Sequence, residues 1–152
     1  MMPYLLSLHL LASLIWVGGM FFAYLALRPA AASALDAPQR LRLWEAVFAR
    51  FFPWVWLCVL MLLASGLWMT YGWFGGMHAP PYVHAMFGLG LLMMALFAHL
   101  YFAPYRRMRQ ALAKGDFAQA GQRLGQIRMI VGVNLILGLT VTVIAAAGPL
   151  LG

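Results

Sequence analysis

This sequence is short of charge before anything else. Of its 152 residues only 9% are Asp, Glu, Lys or Arg, where a soluble domain carries about a quarter. Three are acidic, Asp36, Glu45 and Asp116, too few and too scattered for paired-carboxylate chemistry. A single cysteine, Cys58, excludes an intrachain disulfide and a CxxC motif. A nucleophile elbow and a glycine-rich phosphate loop are missing as well. What is there is apolar: 65% hydrophobic residues, 14% aromatics and six tryptophans, with a mean hydropathy of +0.88. That balance describes an integral membrane protein whose ring side chains anchor at the interfaces.

The charges that do occur fall in two windows, Arg28 to Arg50 and Arg106 to Arg128, leaving 1–27, 51–105 and 129–152 without any. A spanning helix needs about 20 apolar residues, so the outer stretches supply one span each and the middle one supplies two. "GWFGGMHAPPYV" divides the middle stretch, because its glycines and Pro80-Pro81 end one helix and start the next. The expectation is an all-α, single-domain integral membrane four-helix bundle over residues 1–152, with spans near 3–27, 52–73, 82–104 and 129–150. Both basic windows lie at the same end. The positive-inside rule makes them cytoplasmic loops of a bacterial-type inner (plasma) membrane protein, with the N-terminus and C-terminus outside. The same clustering assigns the net charge of +7 to topology and lipid phosphates and excludes a nucleic-acid partner. The first stretch lacks a basic leader and is too long for a signal peptide, so it reads as a retained span.

Two segments flank the spans. "DAPQRLRLWEAVFARFF" puts Leu43, Trp44, Val47, Phe48 and Phe51 on one helical face, the pattern of an interfacial helix running into the second span, with Asp36 as its cap. Asp116 is placed to cap the segment before the fourth span in the same way.

Polar groups inside a membrane are costly and mark function by default. His9 in the first span shares a helical stripe with Ala12, Ser13, Trp16, Gly19, Met20 and Ala23, whose small members allow another helix or a flat ligand to approach. His9 is therefore expected to point into the bundle. His84 opens the third span at a similar depth, along a stripe of Phe87, Gly88, Leu91, Ala95 and Ala98. Two neutral imidazoles on different helices can hold haem iron from both sides. His99 follows His84 by 15 residues, roughly 22 Å of rise, and so lies at the opposite depth, with Arg106 two turns on to hold an anionic propionate. In the outer loop Met77 and His78 are adjacent, and Met86 is near the same level. Thioether and imidazole suit copper(I). Asn134, on a face with Gly138, Val141, Ala145 and Gly148, reads as an interhelical hydrogen bond in a close helix seam.

"LHLLASLIWVGGMFF", a histidine followed seven residues later by a tryptophan and then a glycine pair, resembles the first helix of the copper resistance protein D (CopD) domain family. More distantly the chain is similar to the HemJ-like membrane protoporphyrinogen oxidases. That resemblance implies a haem-ligand role for His9, a tryptophan placed like Trp16, third-helix histidines mirrored by "YVHAM" and "FAHLY", and an arginine placed like Arg128. Where those oxidases carry a lysine this chain has Met86, and "MIVGVN" replaces their Asn-Glu-Pro stretch, so the CopD-type match fits better. Residues and resemblance together lead first to a small b-type haem protein, liganded by His9 and His84, with Trp16, Gly18 and Gly19 shaping the pocket. Its role would be electron transfer or oxidation of a porphyrinogen, with quinone or another membrane redox protein as partner. The second expectation is a CopD-like copper transport or resistance protein using His9, His78, His84, Met77 and Met86. The third is a cofactor-free assembly subunit, and a homo-oligomer is compatible with each.

Overall fold

The structure, a computed structural model, describes residues 1–151. Among these the chain is four long helices joined by tight turns, each long and apolar enough to cross a bilayer. Helix α1 covers Met2–Ala34, α2 Ala37–Gly72, α3 Pro81–Ala113 and α4 Phe117–Leu151. It is a multi-pass membrane architecture, and its solvent is lipid. Large apolar side chains such as Leu14, Leu60 and Trp54 point away from the protein, as they do where tails rather than water surround a helix.

The helices overrun the expected spans at the charged end. α1 continues past residue 27 to Ala34 although Pro29 can offer no N–H. A π-helical turn at Ala23–Leu27 widens the helix just ahead of that proline, and a second one at Tyr101–Tyr105 contains Pro104. Such turns absorb the missing hydrogen bond without a break. α2 is a continuous rod of 36 residues, about 54 Å long. The segment expected to lie at the interface is its first third. Trp44 and Phe48 are buried against the protein, so this apolar face serves the core and not the membrane surface.

Turn chemistry follows the sequence closely. The Asp36 carboxylate accepts from the Gln39 N–H at 2.9 Å, and Asp116 accepts from Gln119 N–H at 3.0 Å, so each helix start has an acceptor for a backbone donor left without one. α3 ends in a Schellman motif: Asp116 N–H reaches the Ala111 carbonyl at 2.9 Å and Gly115 N–H the Leu112 carbonyl at 3.1 Å. Gly115 takes φ of 72°, which a side chain would resist.

α1 lies along α2 and α3 along α4, with α4 also touching α1 and α2. α1 and α3 are diagonal: no pair of their Cα atoms comes within 8 Å. The α4 seam depends on glycine, as a Cβ at Gly138 would sit 2.8 Å from Val17 and 3.2 Å from Met93, and one at Gly148 2.6 Å from Tyr82. Asn134 donates from Nδ2 to the Met93 carbonyl at 3.1 Å, the interhelical bond expected of it. Rings fill the half of the core nearest the charged loops. Phe52 stacks on Phe48 at 4.8 Å and meets Tyr105 edge-on at 4.8 Å, while Phe97 lies against Trp56 and, across the diagonal, Trp16.

Candidate functional site

His9 is half-buried, on the same α1 face as the buried Ala12, Trp16 and Met20. Its Nδ1 lies 2.7 Å from the hydroxyl of Ser65 on α2. Ser65 is itself buried, and its hydroxyl donates to the Met61 carbonyl, one turn back, at 2.5 Å. A hydroxyl has one hydrogen. With that hydrogen on the Met61 carbonyl, Oγ accepts from His9, so the proton of the neutral ring is on Nδ1 and Nε2 keeps its lone pair free. This is the second-partner arrangement that orients metal-ligating histidines. Gly66 lies beside the ring, and a Cβ there would be in ordinary contact, 3.5 Å from His9 Cε1.

The other histidines take different positions. His84 and His99 are exposed on α3, whose buried face is formed by Val83, Met93, Phe97 and Leu100. The stripe read through His84 is turned outward with it: Gly88, Leu91 and Ala95 are exposed. The two histidines therefore do not face the bundle interior as their spacing suggested. Arg106 is exposed too. Met77 and His78 are exposed in the Gly76–His78 turn, and Met86 is half-buried. Gly19 serves helix contact, because a Cβ there would overlap the Phe51 ring. Gly18 is exposed with open space beside it. Among the described residues, no three His, Cys, Asp or Glu side chains converge as a metal-holding group.

A second feature lies at the charged end. A cavity of about 740 Å³ opens between α1, α2 and α4, with Phe97 and Leu100 of α3 behind it. Trp16, Trp44, Phe48 and Phe52 supply much of its wall, and among the described residues Arg28, Arg40 and Arg128 are its only ionised lining groups. Arg28 is held over the Tyr24 ring, 4.9 Å from its centroid.

The family model described as copper resistance protein D matches residues 45–148. The chain belongs to the CopD family. The match covers about two thirds of the sequence, from Glu45 in α2 through α3 to Gly148 in α4, and His9 lies ahead of it. No curated protein matches significantly, and no solved structure does.

Two features of this CopD-family chain escaped the sequence. Ser65 sits in "LLASGLW" with no polar neighbour to single it out, and only the α1–α2 register brings it to His9. The arginine-mouthed cavity was hidden because each arginine reads alone as a topology signal.

Proposed function

We propose that this protein handles copper(I) as cargo at the end of the bundle opposite its arginines, with His9 as the ligand inside the membrane. The family match supports copper, and the free Nε2 of His9 is the observation that carries the site. Imidazole and thioether sulfur suit the soft monovalent ion. Met77 and His78 are exposed at the rim, where they can meet an incoming ion first. Buried Met69 lies one turn from Ser65 towards the rim, and beyond His9 the buried side chains of Cys58, Met20 and Met93 supply further soft donors in the bundle interior. With the basic loops in the cytoplasm, as the positive-inside rule places them, the rim and His9 belong to the outer face. Copper would then enter from outside.

The residues do not fit a haem held by two histidines within one chain. His84 and His99 are turned out of the bundle, and the cavity roomy enough for a flat ring system has no imidazole in its wall. Electron transfer through such a group has no support in this arrangement.

Loading the detergent-purified protein with copper(I) under ascorbate, followed by desalting and metal analysis, tests the reading. Stoichiometric copper is expected in the wild type and its loss in His9→Ala. Ser65→Ala, which removes the orienting acceptor, is expected to weaken binding about 10–100-fold. Equal copper in wild type and His9→Ala would overturn the assignment. So would a Soret band in the purified protein that His9→Ala abolishes.

A further inference from the structure

The cavity at the charged end calls for an occupant that copper does not explain, and the inference drawn from it is independent of the copper reading. Its mouth holds Arg28, Arg40 and Arg128, and none of the three acidic side chains of the chain lines it. An uncompensated guanidinium trio facing an apolar space favours an anion, and the planar donor fork matches carboxylate or phosphate. Inward from the mouth the walls are apolar and aromatic: Phe48, Phe51, Phe52, Val55 and Trp16.

The inner part of the cavity is lined by Asn134, which is 2% exposed. Its Nδ2 is committed to the Met93 carbonyl, and a carbonyl can only accept, so the amide orientation is fixed by chemistry. The amide oxygen is then left buried with no donor. An unmet acceptor in such a place is destabilising, and a ligand carrying an O–H or N–H relieves it. Arg128 precedes Asn134 by six residues on one helix, which sets anion and donor about 9 Å apart along the axis.

We propose that this cavity binds an anionic amphiphile: a carboxylate or phosphate head at the three arginines, a flat apolar body among the rings, and a hydrogen-bond donor, about 9 Å further in, on Asn134 Oδ1. A site with a charged mouth, apolar walls and one polar group at its inner end selects by length as well as by charge. Plain acyl chains satisfy the walls but leave Asn134 unmet.

Three fluorescent probes test the proposal on the intact protein in phosphatidylcholine nanodiscs. 6-Hydroxy-2-naphthoate has anion, flat body and donor; 2-naphthoate lacks the donor; 2-naphthol lacks the anion. The hydroxynaphthoate should bind about fivefold more tightly than 2-naphthoate, the effect of one net hydrogen bond, and 2-naphthol more weakly than either. Asn134→Leu should erase the difference between the two naphthoates. Arg40→Gln should weaken both by the same factor, about tenfold for a charge-assisted contact. Because the first readout is a ratio within one protein, partial loss of fold does not imitate it. No hydroxyl advantage in the wild type, or one that survives Asn134→Leu, would overturn the proposal. Displacement of both naphthoates alike by inorganic phosphate, with no hydroxyl advantage, would reduce the site to a simple anion patch and also overturn it. Loss of probe binding in phosphatidylglycerol discs would assign the cavity to bulk anionic lipid and overturn the donor-bearing ligand; equal binding in both discs supports it.

Discussion

At the end that carries His9, α1 and α2 lie close enough for an imidazole and a hydroxyl to share a hydrogen bond. At the arginine end the same two helices line a cavity of about 740 Å³. The residues between them account for the contrast. Ala12, Ser65 and Gly66 are small, so backbones approach and polar atoms meet directly. Trp16, Trp44, Phe48, Phe51 and Phe52 are large and rigid, so they hold the helices apart and line the space between them, with Phe48 stacked on Phe52. The first end suits a bare ion and the second an organic body.

The comparison can be broken from the arginine end first. Phe52→Ala removes the ring that Phe48, Phe97, Tyr101 and Tyr105 all contact. It should cost about 3–5 kcal/mol in a denaturant-detergent unfolding titration. A much smaller loss would mean that the rings line the cavity without supporting it. Gly138→Val tests the seam the two ends share. It drives a branched side chain against Val17 and Met93, with an expected loss of about 1–3 kcal/mol by the same titration. Ser65→Ala probes the His9 end alone, and about 1 kcal/mol is expected for a hydrogen bond between membrane helices. His99→Ala is its control and should leave the unfolding midpoint where it was, since that ring faces outward. Asp36→Ala acts at the start of α2 and not in the packed core, removing one capping bond worth about 0.5–2 kcal/mol. It should fray the start of α2, read as faster amide exchange at Gln39.

Much of the fold was legible in the sequence because charge segregation and helix punctuation are local signals. Charge-free runs gave the number of helices, Asp36 and Asp116 sit where caps belong, and Gly75-Gly76 with Pro80-Pro81 mark the turn between α2 and α3. The site was legible only in part. His9 shares its stripe with Trp16 and Met20, bulky groups that settle into the bundle, and that face is the buried one. Apart from Phe87 the stripe of His84 is small and aliphatic, and such a face suits lipid as well as it suits a neighbouring helix. Hydropathy does not separate those cases. In α3 the decision falls to Met93, Phe97 and Leu100, which turn His84 and His99 outward. Ser65 and the cavity depend on how helices meet, which no single helix encodes.

The hydroxyl of Ser65 has one more consequence. A histidine that relays protons must accept one at one ring nitrogen and release another from the second, switching tautomer each cycle. Here the serine proton is already committed to the Met61 carbonyl, so Nδ1 has no acceptor that can pass a proton onward and no donor to replace the one it would lose. To reverse the ring, two hydrogen bonds must break together inside the membrane. With one nitrogen tied to the scaffold through Ser65 and the other left without a partner, the arrangement favours anchoring over relay.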